Sequence, residues 1–142
     1  MKKLMMLFCF LTTILNAQYK LTTVVNHPLQ PHQNNKPFQP QFLIHKHNEK
    51  SLSYQIQGFI SSFGHYKKSL KKIKTENQIH QNTLYIKHTI VTKKGFGKEG
   101  AYIIGYNFQQ QKQVKIPKSI QTIILTLYNE DQRIITTDTI RL

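Results

Sequence analysis

Lys67, Lys68, Lys71, Lys72 and Lys74 stand within one short stretch, and Lys87, Lys93, Lys94 and Lys98 follow. Ammonium groups at this density attract anionic surfaces such as lipid head groups, acidic polysaccharides or nucleic acid. Phe59, Phe63 and Tyr66 lie just upstream, so aromatic side chains adjoin the basic ones, as in single-strand binders. A lysine run also has a plain reading, as a solvated face that blunts a sheet edge. Only Arg133 and Arg141 could offer the forked geometry that singles out phosphate, so the cluster implies charge attraction without fine discrimination.

His45 and His47 are two residues apart. On an unbroken strand both imidazoles face one side, and Glu49 extends the row. Two imidazoles and a carboxylate can hold a divalent metal, provided that three ligands converge. His27 and His32 sit among prolines and join such a site only if that segment folds back. The glycines at 95, 97 and 100 flank Lys98, but Glu99 follows it where a phosphate loop needs Ser or Thr. A turn with positive φ accounts for them.

Signals for catalysis are thin. Six carboxylates serve the whole chain, and Glu130 and Asp131 fall in a turn, where local hydrogen bonding explains them. Asp138 and His88 lie on strands that could meet, but no serine occupies a Gly-x-Ser-x-Gly elbow. The sequence therefore reads as a non-enzymatic protein with no cofactor.

The elements that must position these residues are mainly strands. Tyr19, Leu21, Thr23 and Val25 alternate as a first strand, and four of the five prolines then mark an extended connection over residues 27–41. Residues 42–47 form a second strand. Leu52, Tyr54 and Ile56 continue the period to Gly58, where a bulge is expected. Residues 66–75 allow one short helix, because Leu70 and Ile73 share a face and Lys67, Lys71 and Lys74 share another; a polar edge strand is the rival reading.

Residues 84–91 alternate cleanly, with Leu84, Ile86, His88 and Ile90 on one face, and residues 101–108 return as a strand. Residues 120–128, a turn at 129–132 and residues 134–140 make the clearest hairpin, with 120–128 as the central strand. About seven strands with frequent turns predict an all-β antiparallel sandwich, immunoglobulin-like or similar. Leu84, Ile86, Ile103, Ile123, Leu125 and Leu127 are its expected core.

Composition agrees. The 142 residues fit one domain, 39% are hydrophobic, and there is no Trp. The chain opens on Lys2 and Lys3, then an apolar run over residues 4–15, which suits a signal peptide of residues 1–17 and is too short to span a bilayer. Cleavage after Ala17 leaves Gln18 first and a single β-rich domain over 18–142. Phe8 is too bulky to precede a lipidated Cys9. The mature chain then has no cysteine, so its core must hold it without disulfides, an economy common in the bacterial periplasm.

Twenty Lys+Arg against six Asp+Glu give a formal charge of +14. The expected function is an exported binding module, periplasmic or extracellular in a Gram-negative bacterium, that engages another macromolecule. The alternatives are a lysine-cluster binder of anionic surface polymers or lipid head groups and, more remotely, a histidine metal binder. Export makes nucleic acid a poor physiological partner, and the mature chain has no membrane span.

Overall fold

The structure is a computed structural model and describes residues 25–29, 34, 36–61, 67–95 and 105–142. The expected signal peptide, Cys9, Ile103, Lys98 and most of the first expected strand lie outside these residues. Eight strands are described: β1 (Val25–Leu29), β2 (Gln41–Asn48), β3 (Ser51–Ser61), β4 (Lys67–His80), β5 (Thr83–Gly95), β6 (Gly105–Lys115), β7 (Thr122–Tyr128) and β8 (Ile134–Arg141).

They form two four-stranded sheets, ordered β1-β6-β3-β2 and β4-β5-β7-β8. The inner faces supply the core that alternation requires. Leu52, Tyr54, Ile56, Phe108 and Val114 come from the first sheet. Leu84, Ile86, Ile123, Leu125 and Leu127 come from the second. Burying each such side chain contributes about 1.5–3 kcal/mol.

Three strand pairs are hairpins, β2–β3, β4–β5 and β7–β8, and each is antiparallel. The β5–β7 pair is parallel, which corrects the wholly antiparallel expectation. The chain leaves the second sheet after β5, runs through β6 in the first, and returns. Such a crossover lets neighbouring strands point the same way.

Three further expectations change. Where residues 66–75 allowed a helix, the described part, from Lys67 on, is β4, an edge strand and the rival reading. Its Leu70–Ile73 spacing of three, which mimicked a helical repeat, comes from a bulge between Leu70 and Lys72 that inserts Lys71. Gly58 marks no bulge. It keeps the inward phase of β3, and a β-carbon there would lie 2.8 Å from the Phe108 ring. A glycine here makes room for an aromatic ring from the neighbouring strand.

The proline-rich connection is also shorter than the sequence suggests. His27, Pro28 and Leu29 belong to β1, an edge strand that tolerates proline. Where the connection continues, the buried Asn107 side chain clamps it: Phe38 N–H donates to Oδ1 at 2.8 Å and Nδ2 donates to the Lys36 carbonyl at 3.0 Å.

Candidate functional site

The sequence-predicted lysines lie on the β4–β5 ladder rather than on a helical face. Lys67 stands opposite Gly95, Lys68 opposite Lys94 and Ser69 opposite Lys93. Like charges directly across a ladder repel one another. The bulge carries Lys71 out of register, and beyond it Lys72 and Lys74 pair with Val91 and Thr89. Lys71, Lys72, Lys74, Lys93 and Lys94 are exposed.

Two carboxylates moderate this rim. Glu130, in the β7–β8 turn, accepts from Thr92 N–H at 2.7 Å and Thr92 Oγ1 at 2.6 Å, and lies 3.2 Å from Lys68 Nζ. The Thr92 bonds, and less so Lys68, hold its carboxyl below the usual carboxylate range. Glu76 lies 2.9 Å from Lys74, whose hydrogen bond and charge lower its pKa too. Lys87 donates to Gln132 Oε1 at 2.7 Å and sits 4.7 Å above the Tyr128 ring. Cations still outnumber acids along this edge.

The histidine row is not assembled. β2 shifts register between Ile44 and Lys46, so His45 has no partner residue across the ladder, while His47 stands opposite Leu52. Glu49 falls in the following turn, and all three side chains are exposed. Among the described residues no group of three His, Cys, Asp or Glu is placed to hold a metal. Asp138 and His88 are not joined either. The Asp138 carboxylate accepts from the Thr139 backbone.

His88 has other partners, and they expose what the sequence reading missed. Its ring is fully buried, 2.9 Å from Tyr54 Oη through Nε2 and 3.1 Å from Thr75 Oγ1 through Nδ1. The Phe42 and Tyr54 rings both pack 5.7 Å from it. Either neutral tautomer satisfies both nitrogens, since one hydroxyl donates to the ring and the other accepts from it. Burial, with Lys112 nearby, pushes the His88 pKa down to about 3. A sealed, neutral imidazole with both nitrogens engaged is a structural cross-link between sheets.

Lys112 is stranger. It stands directly opposite Tyr54 on β6, faces inward and is only 2% exposed. Its Nζ has no hydrogen-bond partner among the described residues, and neither has the buried Asn77 Oδ1. Burial alone pushes its pKa down to about 8. Alternation could have found it, because Phe108, Gln110, Lys112 and Val114 share one phase. The Gln109-Gln110-Gln111 run hid that phase by making the segment look polar throughout.

Comparison with protein-family models, with characterised proteins and with solved structures finds no match to this chain. The reading of its function rests on the residues themselves.

Proposed function

We propose that the mature chain is an exported, non-enzymatic, immunoglobulin-like sandwich that binds an anionic polymer or lipid head-group surface outside the cytoplasm through the β4–β5 rim. The observation that carries this reading is the density of lysine on the β4–β5 ladder, with Lys72, Lys74 and Lys93 on one face and Lys68 directly opposite Lys94 on the other. Natural strands avoid such pairs because they cost stability. Glu130 already lies against Lys68, and an external polyanion would add to that screening across the lysine-dense ladder. Blunting a sheet edge needs only an occasional lysine, whereas Lys67, Lys68, Lys71, Lys72 and Lys74 all stand on this one edge strand.

The binding chemistry is a diffuse field. It should draw polyanions at low ionic strength and weaken steeply as salt rises, since screening acts over roughly 8 Å at physiological ionic strength. Lysine lacks the fork that separates phosphate from carboxylate, so polyphosphate, acidic polysaccharide and anionic vesicles should bind comparably. Replacing Lys67, Lys68, Lys71, Lys72 and Lys74 with Gln should reduce affinity at least about tenfold, with the unfolding midpoint unchanged or raised. Titration of each polyanion at two salt concentrations checks this. Undiminished binding by the variant would reduce the rim to a solvated edge.

Export is the other half of the proposal. The protein recovered from its native host should begin at or near Gln18, and intact mass reads this directly. A secreted form that retains Met1, or an acylated Cys9, would overturn it.

A further inference from the structure

We infer that β8 is a self-association edge, pairing antiparallel with β8 of a second copy to join two of the β4-β5-β7-β8 sheets into one continuous sheet. The four edges of the two sheets are treated unequally. β1 carries Pro28, β2 carries a bulge and Lys46, and β4 carries a bulge and its lysines. Each is a recognised guard against strand addition. β8 contains neither proline nor lysine, and six of its eight residues are β-branched Ile or Thr. Its one irregularity lies at its start, so Thr136 to Arg141 form a regular ladder with β7. Among the described residues, nothing pairs with its other side.

Leu142, just past the end of the strand, is 38% exposed and falls within the stretch that would pair. Charge then decides in favour of a second copy as occupant. A chain of formal charge +14 repels itself almost everywhere, but β8 holds one acid, Asp138, and one base, Arg141. Joining at β8 also puts the two lysine rims at opposite ends of the combined sheet. They are then seven strand spacings apart, about 34 Å, several screening lengths at physiological salt. Pairing through β4 would instead lay the two rims side by side.

A two-fold axis normal to the sheet at Thr139 keeps inner faces with inner faces. It sets Asp138 against Ile140, Thr137 against Arg141 and Leu142 against Thr136 of the second copy, so no acid meets itself. A single strand pair buries little area, so association should be of micromolar strength, well short of an obligate dimer. The pairing would present two lysine rims on one rigid sheet and so raise avidity for an extended polyanion. It does not depend on that binding.

The test is sedimentation velocity on the mature chain at physiological salt over a range of concentrations. The expected result is a monomer–dimer equilibrium that Thr137→Lys with Thr139→Lys weakens at least about tenfold. Both residues are exposed, so the unfolding midpoint should hold. As a second variant, Thr139→Cys in the cysteine-free mature chain should form an intermolecular disulfide on mild oxidation, because residues facing across the axis are within bridging distance. The lysine-to-glutamine variant of the rim should dimerise normally, which separates this inference from the anion-binding one. A monomer at every concentration, a dimer indifferent to the paired lysines, or a Thr139→Cys chain that stays uncross-linked would overturn it.

Discussion

Replacing Lys112 with Met should stabilise the protein at neutral pH. The side chain is buried in the sandwich, its ammonium has no hydrogen-bond partner among the described residues, and its pKa falls to about 8. A buried charge without compensation is among the costliest single features in a core, and an apolar side chain of similar shape removes the cost. Met fits because its unbranched stem follows the path of the lysine methylenes. The sign of the pH effect follows from the lowered pKa. Between about 8 and the ordinary lysine value near 10.4, the unfolded chain holds a proton that the folded chain has released.

Stability of the wild type therefore rises through that window, and below about pH 8 the gain is absent. At about 1.4 kcal/mol per unit, the change is on the order of 3 kcal/mol. The Met variant lacks this rise, so its advantage should be greatest near pH 7 and shrink toward pH 10.5. Urea denaturation of both proteins at pH 7, 9 and 10.5 measures it. A constant difference across those values would mean that the Lys112 ammonium reaches water, and a destabilised variant at all three would mean that the amine has a partner.

The same residue shows where the sequence is legible and where it stops. Period-2 patterns in residues 84–91 and 120–128 placed β5 and β7 because each inward position there holds an apolar side chain, His88 excepted. The β7–β8 hairpin was readable from its turn, where Asn129 Oδ1 accepts from Arg133 N–H and Gln132 takes positive φ.

Bulges broke the reading elsewhere. One inserted residue, Lys71, made β4 resemble a helix, and one in β2 made His45 and His47 seem to share a side. A bulge is set by pairing with another strand, and local composition carries almost no mark of it. The parallel β5–β7 contact was invisible for a related reason, since nothing in either strand states which non-adjacent neighbour it meets. The buried polar group was half legible. Alternation put His88 inside, but its partners Tyr54 and Thr75 lie 34 and 13 residues away in sequence. Only the packing of one sheet on the other brings Tyr54 to it.

Acid should unfold the protein earlier than its few carboxylates would suggest, and His88 should be the cause. Its pKa falls from 6.5 in the unfolded chain to about 3 in the folded one, mainly through burial and secondarily through the charge of Lys112. Between those values the unfolded chain binds a proton that the folded chain refuses. The stabilisation is complete above about 6.5 and is lost as pH falls toward 3. A gap of that width amounts to several kcal/mol, a large share of a small domain's total. Glu76 and Glu130 also have lowered values, but both are exposed and act only below the ordinary carboxylate range. Among the described residues with shifted values, the window from about pH 6.5 to 4.5 therefore belongs to His88. His88→Gln isolates the effect, because the amide can donate to one hydroxyl and accept from the other without titrating. The variant should lose about 1–3 kcal/mol at pH 7, from the volume missing beside Phe42 and Tyr54 and from imperfect hydrogen bonds. Its stability should then stay nearly flat down to pH 4.5 while that of the wild type declines, and the two curves should converge or cross. Thermal midpoints at half-unit intervals from pH 7.5 to 4 give both curves. Parallel curves would show that the imidazole takes up its proton while still folded, which would require the inter-sheet packing around Tyr54 and Thr75 to admit water.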